Sequence, residues 1–287
     1  MVTKTKTNRK SIRGSGIWVF FLLAVLVFVF FQLINPIEAN APSDAIEASV
    51  TPVSKEQNSS TNQDLTDGVA EASVLMYHHI GPLPNENDKI RYGLTVSEED
   101  FDAQIKYIEE SGYNVMTLGQ LEVAIASKKL PEKTVVLTFD DGYDDNFVYA
   151  KPILEKYGFS GTFFIISSKI GQPEYMSEDQ VKELAKNHEI GSHSYSHPSM
   201  ARLSDYYLER EMKQSKDDLE SLVGRKIVSF CYPAGKYDDK AVEKLKEYGY
   251  KIAVTTEAST GSFNIDNLLL VPRYRIAPAM SLEALLR

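Results

Sequence analysis

The sequence predicts an α/β protein in which residues 71–287 form a distorted parallel (β/α) barrel of about seven strands, preceded by a membrane-length helix and a flexible tether. Three observations predict it. Apolar runs such as residues 134–139 and 161–167 are rich in Val, Ile, Leu and Phe and lack polar alternation, as strands do when both faces of a parallel sheet are covered. These runs alternate with amphipathic stretches of helical period about seven times, mostly through short connections. That many strand–helix units favours closure into a barrel over an open sheet. The chain also has no internal repeat and no glycine-rich phosphate loop that would point to dinucleotide binding.

The first 70 residues differ from the rest. Residues 1–16 carry Lys4, Lys6, Arg9, Lys10 and Arg13 without an acid, and residues 17–34 are uncharged and almost wholly apolar. At 1.5 Å rise per residue that segment covers roughly 27 Å, enough to cross a bilayer as a helix, and the basic flank before it belongs in the cytoplasm. The expected topology is a single-pass anchor in the cell membrane with the rest of the chain outside. Ala39-Asn40-Ala41 is a small-x-small step where a signal peptidase could cut, so secretion after cleavage stays open. Residues 35–70, rich in Ser, Thr, Asn, Gln, Ala and Pro, have the composition of a disordered linker. The sole cysteine, Cys231, rules out an internal disulfide, and no cysteine near residue 40 offers a site for lipid attachment.

From residue 71 the elements follow in order. Residues 73–80 read as a strand closed by Gly81-Pro82. Ser97-Glu-Glu-Asp100 reads as a capping box ahead of an amphipathic helix through Phe101, Ile105 and Ile108 that stops at Ser111-Gly112. A strand near 113–117, a helix over 119–129 and the strand 134–140 come next; a helix over 146–157 stops at Gly158, and strand 161–167 follows. Ser177-Glu-Asp-Gln180 caps a helix whose Val181, Leu184 and Ala185 share one apolar face. Strand 189–193, helix 205–222, strand 227–232, helix 239–248, strand 250–255 and strand 268–276 complete the alternation, and Ser281 begins a last helix.

Charge excludes one class of partner. Residues 1–70 hold six basic and six acidic side chains, so the formal charge of −9 falls on residues 71–287. A domain this acidic is a poor binder of nucleic acid or any other polyanion, and a neutral or cationic ligand suits it better. The membrane is an expected partner through residues 17–34, with the chain acting as a monomer.

The strand 134–140 stops at two adjacent carboxylates and a glycine, Asp140-Asp141-Gly142, at the end of a buried strand where α/β folds place catalytic groups. Adjacent side chains on an extended strand point apart, so the two acids divide the labour: one on a metal, the other an unligated base. His193-Ser-Tyr-Ser-His197-Pro198 follows another strand, and Pro198 argues for an extended loop pair rather than a helical pair of ligands. One carboxylate and two imidazoles make a divalent-metal set with positions left for water and substrate. Zinc is the expected ion, with cobalt, nickel or iron open. Cys231 lies in a buried strand and is not read as a nucleophile, and His188 reads as a solvated partner for a helix C-terminus. Tyr143, Tyr195, Tyr232 and Tyr237 flank the motifs and read either as rings bordering a ligand or as half-buried filler.

Thr138-Phe-Asp140-Asp141-Gly142 together with His193-Ser-Tyr-Ser-His197 resembles the first two motifs of the polysaccharide deacetylase (NodB-type carbohydrate esterase) family, over about residues 73–276. The resemblance implies Asp140 as general base and Asp141, His193 and His197 as metal ligands. A third motif departs from the common Arg-x-Pro-Tyr: here it is Cys231-Tyr232-Pro233-Ala234, where the N–H at Ala234 would hold an oxyanion and Tyr232 and Tyr143 would face substrate. No histidine follows residue 197. Instead His78, in Leu75-Met-Tyr-His78-His79-Ile80, is similar to the acid of the branch that deacetylates poly-N-acetylglucosamine, with His79 expected to face the other way. Arg273 is the candidate to replace the missing arginine beside Asp140, against the alternative of a surface ion pair. The implied activity is metal-dependent removal of N-acetyl groups from N-acetylglucosamine-containing cell-surface or wall polymer. O-acetyl esterase action on a xylan-like polymer, a non-haem iron enzyme and a non-catalytic glycan-binding protein remain as alternatives.

Overall fold

The computed structural model describes residues 61–286. The expected basic flank 1–16, the expected membrane helix 17–34 and the part of the expected linker up to residue 60 lie outside the described residues. Among the described residues no helix is long and apolar enough to cross a membrane.

The strands in chain order are β1 (Val69–Tyr77), β2 (His79–Ile80), β3 (Thr95–Val96), β4 (Asn114–Met116), β5 (Thr134–Phe139), β6 (Thr162–Ile165), β7 (Glu189–Ser192), β8 (Ser229–Cys231), β9 (Ile252–Ala258), β10 (Ser262–Asn264) and β11 (Val271–Arg275). Seven of them, β1, β5, β6, β7, β8, β9 and β11, close in that order into a parallel barrel, β11 pairing back onto β1. β4 runs parallel along the first half of β5, and β10 lies antiparallel to the start of β1.

The lack of polar alternation in these strands has a direct physical cause. Val74, Val136, Phe164, Cys231, Ile252, Val254 and Val271 gather in one buried cluster, the barrel interior. Their sequence neighbours Leu75, Val135, Leu137, Phe163, Ile165, Phe230 and Ala253 belong to a second cluster shared with the outer helices. The period of two sorts residues between two apolar environments rather than between core and water. Gly191 leaves room inside the barrel: a Cβ there would meet Phe164 at 2.5 Å. Leu118, Leu121 and Ile125, from helix Leu118–Ala126, join the interior cluster and cover its N-terminal mouth.

Register then sets the rim. The β1–β5 ladder runs from Ala72 opposite Thr134 to Tyr77 opposite Phe139, so the next residues, His78 and Asp140, leave the barrel side by side. The Asp140 N–H donates to Tyr77 O at 3.0 Å.

Four details depart from the sequence reading. The strand expected over 73–80 breaks at His78, because His79 and Ile80 leave the barrel to pair with β3. Residues 61–70, expected in the linker, are held to the domain: Asn62 bridges Pro131, and Gln63 Nε2 donates to Glu71 O and Pro131 O. The two proposed capping boxes differ: at Ser177 both halves form, whereas at Ser97 the hydroxyl accepts from Asp100 N. The helices expected over 146–157 and 205–222 each contain a π-helical turn, Asn146–Ala150 and Glu209–Gln214.

Candidate active site

The C-terminal ends of β5, β7 and β8 bring the sequence motifs together. Asp141 follows β5 with φ of 76°, and Gly142 follows with φ of 79°. This left-handed turn, rather than strand alternation, separates the two acids: Asp140 stays in the barrel mouth and Asp141 turns toward β7. Asp141 Oδ1 lies 3.4 Å from His193 Nε2 and 3.4 Å from His197 Nε2. The three ligand atoms lie within 4.8 Å of one another. His197 has φ of 64°, so the extended conformation expected before Pro198 does not form, although the pair does lie on a loop.

The donor set fits a divalent cation. His193 Nδ1 donates to Cys231 O at 2.8 Å, which fixes the ring and leaves the Nε2 lone pair facing Asp141 and His197. Three acceptor atoms converge there from three chain positions with no donor between them, an arrangement a cation resolves. Burial opposes charge here, yet without a cation the crowding places a proton on His193 Nε2, whose hydrogen bond and charge hold the Asp141 carboxyl below the usual carboxylate range; a cation would take that proton's place.

Asp140 sits in a different environment. Arg273 is fully buried and forks its carboxylate, Nη1 to Oδ1 and Nη2 to Oδ2, both at 2.8 Å. The guanidinium spans the barrel interior, donating also to Thr138 Oγ1 of β5 at 2.9 Å and to Thr255 O of β9 at 2.9 Å. It therefore makes no surface ion pair. Burial opposes ionisation of Asp140, but the Arg273 charge and hydrogen bonds, with His193 and His78 beyond them, hold its carboxyl far below the ordinary range. Cys231 Sγ completes the cluster, 3.2 Å from Arg273 Nη2 and 3.5 Å from Asp140 Oδ2. Its thiol is buried and pushed up by that burial, unlike an activated nucleophile.

The two N-terminal histidines separate as their positions on either side of the strand break dictate. His78 Nε2 lies 3.9 Å from Asp140 Oδ2, and burial lowers its pKa against the attraction of Asp140 and Asp141. His79 turns away, its Nδ1 donating to Asp145 Oδ2 at 2.6 Å and its ring stacked on Tyr143 at 3.8 Å. Tyr143 is half-buried, stacked on its other side with Tyr175, and burial followed by the Asp141 charge raises its pKa. Ala234, in the turn Pro233–Gly235 just after β8, is exposed with φ of 49°.

Tyr232 does not match its expected place. Its ring is fully buried between Phe230 and Tyr237, and its hydroxyl has no partner among the described residues, so the side chain belongs to the core rather than to a polymer-binding face. Tyr237 instead donates to Glu257, and Tyr195 lies under the Arg210 guanidinium. Sequence reading passed over Asp145, Asn146 and Glu211 and gave Thr138 of the first motif no role of its own, and all four brace the site. Asp145 was legible in principle, as the fourth acid in Asp140-Asp-Gly-Tyr-Asp-Asp145.

A β/α barrel whose rim carries converging aspartate and imidazole acceptors beside an arginine-paired aspartate has what metal-assisted hydrolysis asks of a site: a cation seat and an adjacent base. Residues 127–253 match the family profile described as polysaccharide deacetylase. YxkH of Bacillus subtilis (strain 168), named for the same family, is 30% identical over 237 residues, covering 82% of each chain. The chain belongs to the polysaccharide deacetylase family. A poly-β-1,6-N-acetyl-D-glucosamine N-deacetylase of Staphylococcus aureus (strain MRSA252) is 25% identical over 229 residues, 72% of this chain and 79% of that one. Among solved structures, the deacetylase PplD of Streptococcus pyogenes in complex with acetate superposes with a TM-score of 0.71 at 31% identity, covering 76% of this chain and 97% of that chain.

Proposed function

We infer that this polysaccharide deacetylase removes N-acetyl groups from an N-acetylglucosamine-containing cell-surface or wall polymer with the help of a divalent cation, zinc in the first instance. The observation that carries this reading is the convergence of Asp141, His193 and His197 beside Asp140. Asp141 Oδ1 and the two Nε2 atoms would hold the ion, which supplies Lewis acidity toward an acetamide carbonyl and lowers the pKa of water. Asp140, kept ionised by Arg273, accepts the proton of the attacking water. His78 Nε2, close to Asp140 Oδ2, then delivers a proton to the departing amine. The exposed N–H at Ala234 would donate to the developing oxyanion, while Tyr143 borders the same rim. The products are acetate and a free amine on the sugar.

The relatives that act on poly-β-1,6-N-acetyl-D-glucosamine make that polymer the first substrate to test. The segment 17–34 would anchor the enzyme as a single pass with its barrel outside the cell, which a protease-accessibility assay on intact cells checks. The activity test is acetate release from β-1,6-linked N-acetylglucosamine oligomers, chitooligosaccharides and peptidoglycan, with and without a chelator. Release that stops on chelation and returns with zinc or cobalt supports the reading; polymer binding with no release from any substrate refutes it.

A further inference from the structure

The loop that carries both histidines adopts a conformation its sequence disfavours. Ser194 has φ of 65° and His197 has φ of 64°, both in the left-handed region that side-chain-bearing residues avoid. Such a conformation persists only where the surroundings over-determine it. Local bonds do part of this: Ser194 N donates to Ser192 Oγ at 3.2 Å, and His197 N donates to Ser194 Oγ at 2.8 Å. They leave the apex of the loop, Tyr195 and Ser196, to be held from outside.

From one side Ser168 N donates to Tyr195 O at 3.0 Å and Ser167 N to Ser194 O at 3.2 Å; from the other, a single residue holds both apex residues. Glu211 lies inside the π-helical turn Glu209–Gln214, between helices Asp205–Leu208 and Ser215–Val223, and is buried. Its carbonyl accepts from Tyr195 N at 2.9 Å. Its carboxylate accepts from Ser196 N at 2.7 Å through Oε2 and from Ser196 Oγ at 2.8 Å through Oε1. Backbone and side chain of a single residue thus grip two consecutive loop residues, immediately before His197. π turns are uncommon and concentrate at functional sites. The other π turn, Asn146–Ala150, repeats the device: Asn146 is fully buried and its Nδ2 donates to His78 O at 2.8 Å.

We propose that Glu211 is a positioning residue for the cation site: the π turn aims its carbonyl and carboxylate at Tyr195 and Ser196 so that His197 Nε2 is held beside Asp141 and His193. The inference rests on the cation reading of the preceding section. Glu211 touches no ligand atom; it acts through the loop. A helix lacking the π turn would rotate Glu211 off the loop, which is the reason for the irregularity.

The test is zinc affinity, measured on the full chain by competition against a chromophoric chelator, alongside thermal unfolding. Glu211→Ala is expected to bind zinc about 10- to 100-fold more weakly, the usual loss when a partner that orients a ligand is removed. Glu211→Gln keeps an acceptor for Ser196 N and is expected to restore affinity to within about threefold. Glu189 supplies the control for a merely structural role. It is a buried carboxylate at the opposite end of β7 that accepts from Gly119 N, Thr162 Oγ1 and Ser229 Oγ. Glu189→Ala should lower the unfolding midpoint as much as Glu211→Ala does and leave zinc affinity within about twofold of wild type. Zinc binding retained by folded Glu211→Ala, or lost equally in Glu189→Ala, overturns the inference. If Glu211→Ala does not fold, Ser196→Ala removes the hydroxyl half of the grip; it should weaken zinc about threefold, and unchanged binding overturns the inference as well. A wild-type chain that takes up no zinc overturns the cation reading and this inference together, whereas retention in the variants overturns this inference alone.

Discussion

The two ends of the barrel both bury acids and histidines, and the difference between them separates structure from chemistry. At the N-terminal end, Glu189 Oε2 accepts from Gly119 N at 2.7 Å and from Thr162 Oγ1 at 3.3 Å, while Oε1 accepts from Ser229 Oγ at 2.6 Å. Each acceptor faces a donor fixed on a strand or helix end. His188 beside it is fully buried, its Nδ1 accepting from Gly161 N and its ring edge-on to Phe163, while its Nε2, 3.9 Å from Glu155 Oε1, has no hydrogen-bond partner among the described residues, so it is Glu189 that shows the saturated case. At the C-terminal end, Asp141, His193 and His197 aim acceptors at one another. Within the site itself Asp141, Ser194, His197 and Ala234 have positive φ, whereas at the other end Lys128 and Lys133 carry it on exposed turns. Buried polar groups that are saturated stabilise a fold; groups held in costly conformations with unmatched acceptors are arranged for a ligand.

The largest effect should come from Asp140, the acid proposed as the base. Asp140→Asn keeps the shape and one of the two Arg273 hydrogen bonds but cannot take a proton. Turnover should fall by about 10³-fold or more while zinc affinity stays within a few-fold, measured by acetate release and chelator competition. An active variant removes Asp140 as base.

Arg273 blurs the comparison, since it is a saturated, interior group that serves the reactive end. Arg273→Met leaves Asp140 buried without its counter-charge and should cost about 3–5 kcal/mol of stability in urea unfolding. Because the guanidinium holds the Asp140 carboxyl low, removing it raises that pKa. The acid limb of kcat/KM should therefore move to higher pH, and an unmoved limb would uncouple Arg273 from the base.

At the N-terminal end, Glu189→Ala strands the donors of Gly119 and Ser229, and should cost about 3 kcal/mol without changing the pH profile of any surviving activity. A shifted profile would show that the two ends communicate.

The smallest effect concerns His188, whose pKa burial lowers to about 4 from the ordinary 6.5. The unfolded chain then binds this proton more readily than the folded one. The stabilising contribution is complete above about pH 6.5 and is lost as pH falls toward 4, by about 2 kcal/mol between pH 7 and pH 5. His188→Phe should flatten that part of the stability profile, read from urea midpoints across the range; an unchanged slope would place the titration elsewhere.

This division also marks how far the sequence could be read. The doubly buried strands, the acids ending β5 and the histidines after β7 were legible because composition and spacing express them directly. Alternation put His78 and His79 on opposite sides, and although the strand breaks there the two do separate, His78 toward Asp140 and His79 toward Asp145. Conformation was harder. Nothing in Asp140-Asp141-Gly142 states that Asp141 itself turns left-handed, and Pro198 argues against the φ that His197 adopts. His188 looked like a solvated helix terminus because the chain does not show that Phe163 and Gly161 cover it. Tyr232 looked available because its neighbours in sequence are site residues, whereas its neighbours in space are Phe230 and Tyr237. Arg273 reaches Asp140 across 133 residues of sequence, and the π turns arise from tertiary demands no local pattern records.

One measurement bears most directly on the claim that Asp141, His193 and His197 share a cation that Asp140 works beside. It is acetate release from a β-1,6-linked N-acetylglucosamine oligomer by the zinc-loaded wild type, the chelated wild type and zinc-loaded Asp141→Ala. The account predicts release from the first and none from the other two, with activity returning to the chelated wild type on adding one equivalent of zinc. Equal release from all three would contradict it.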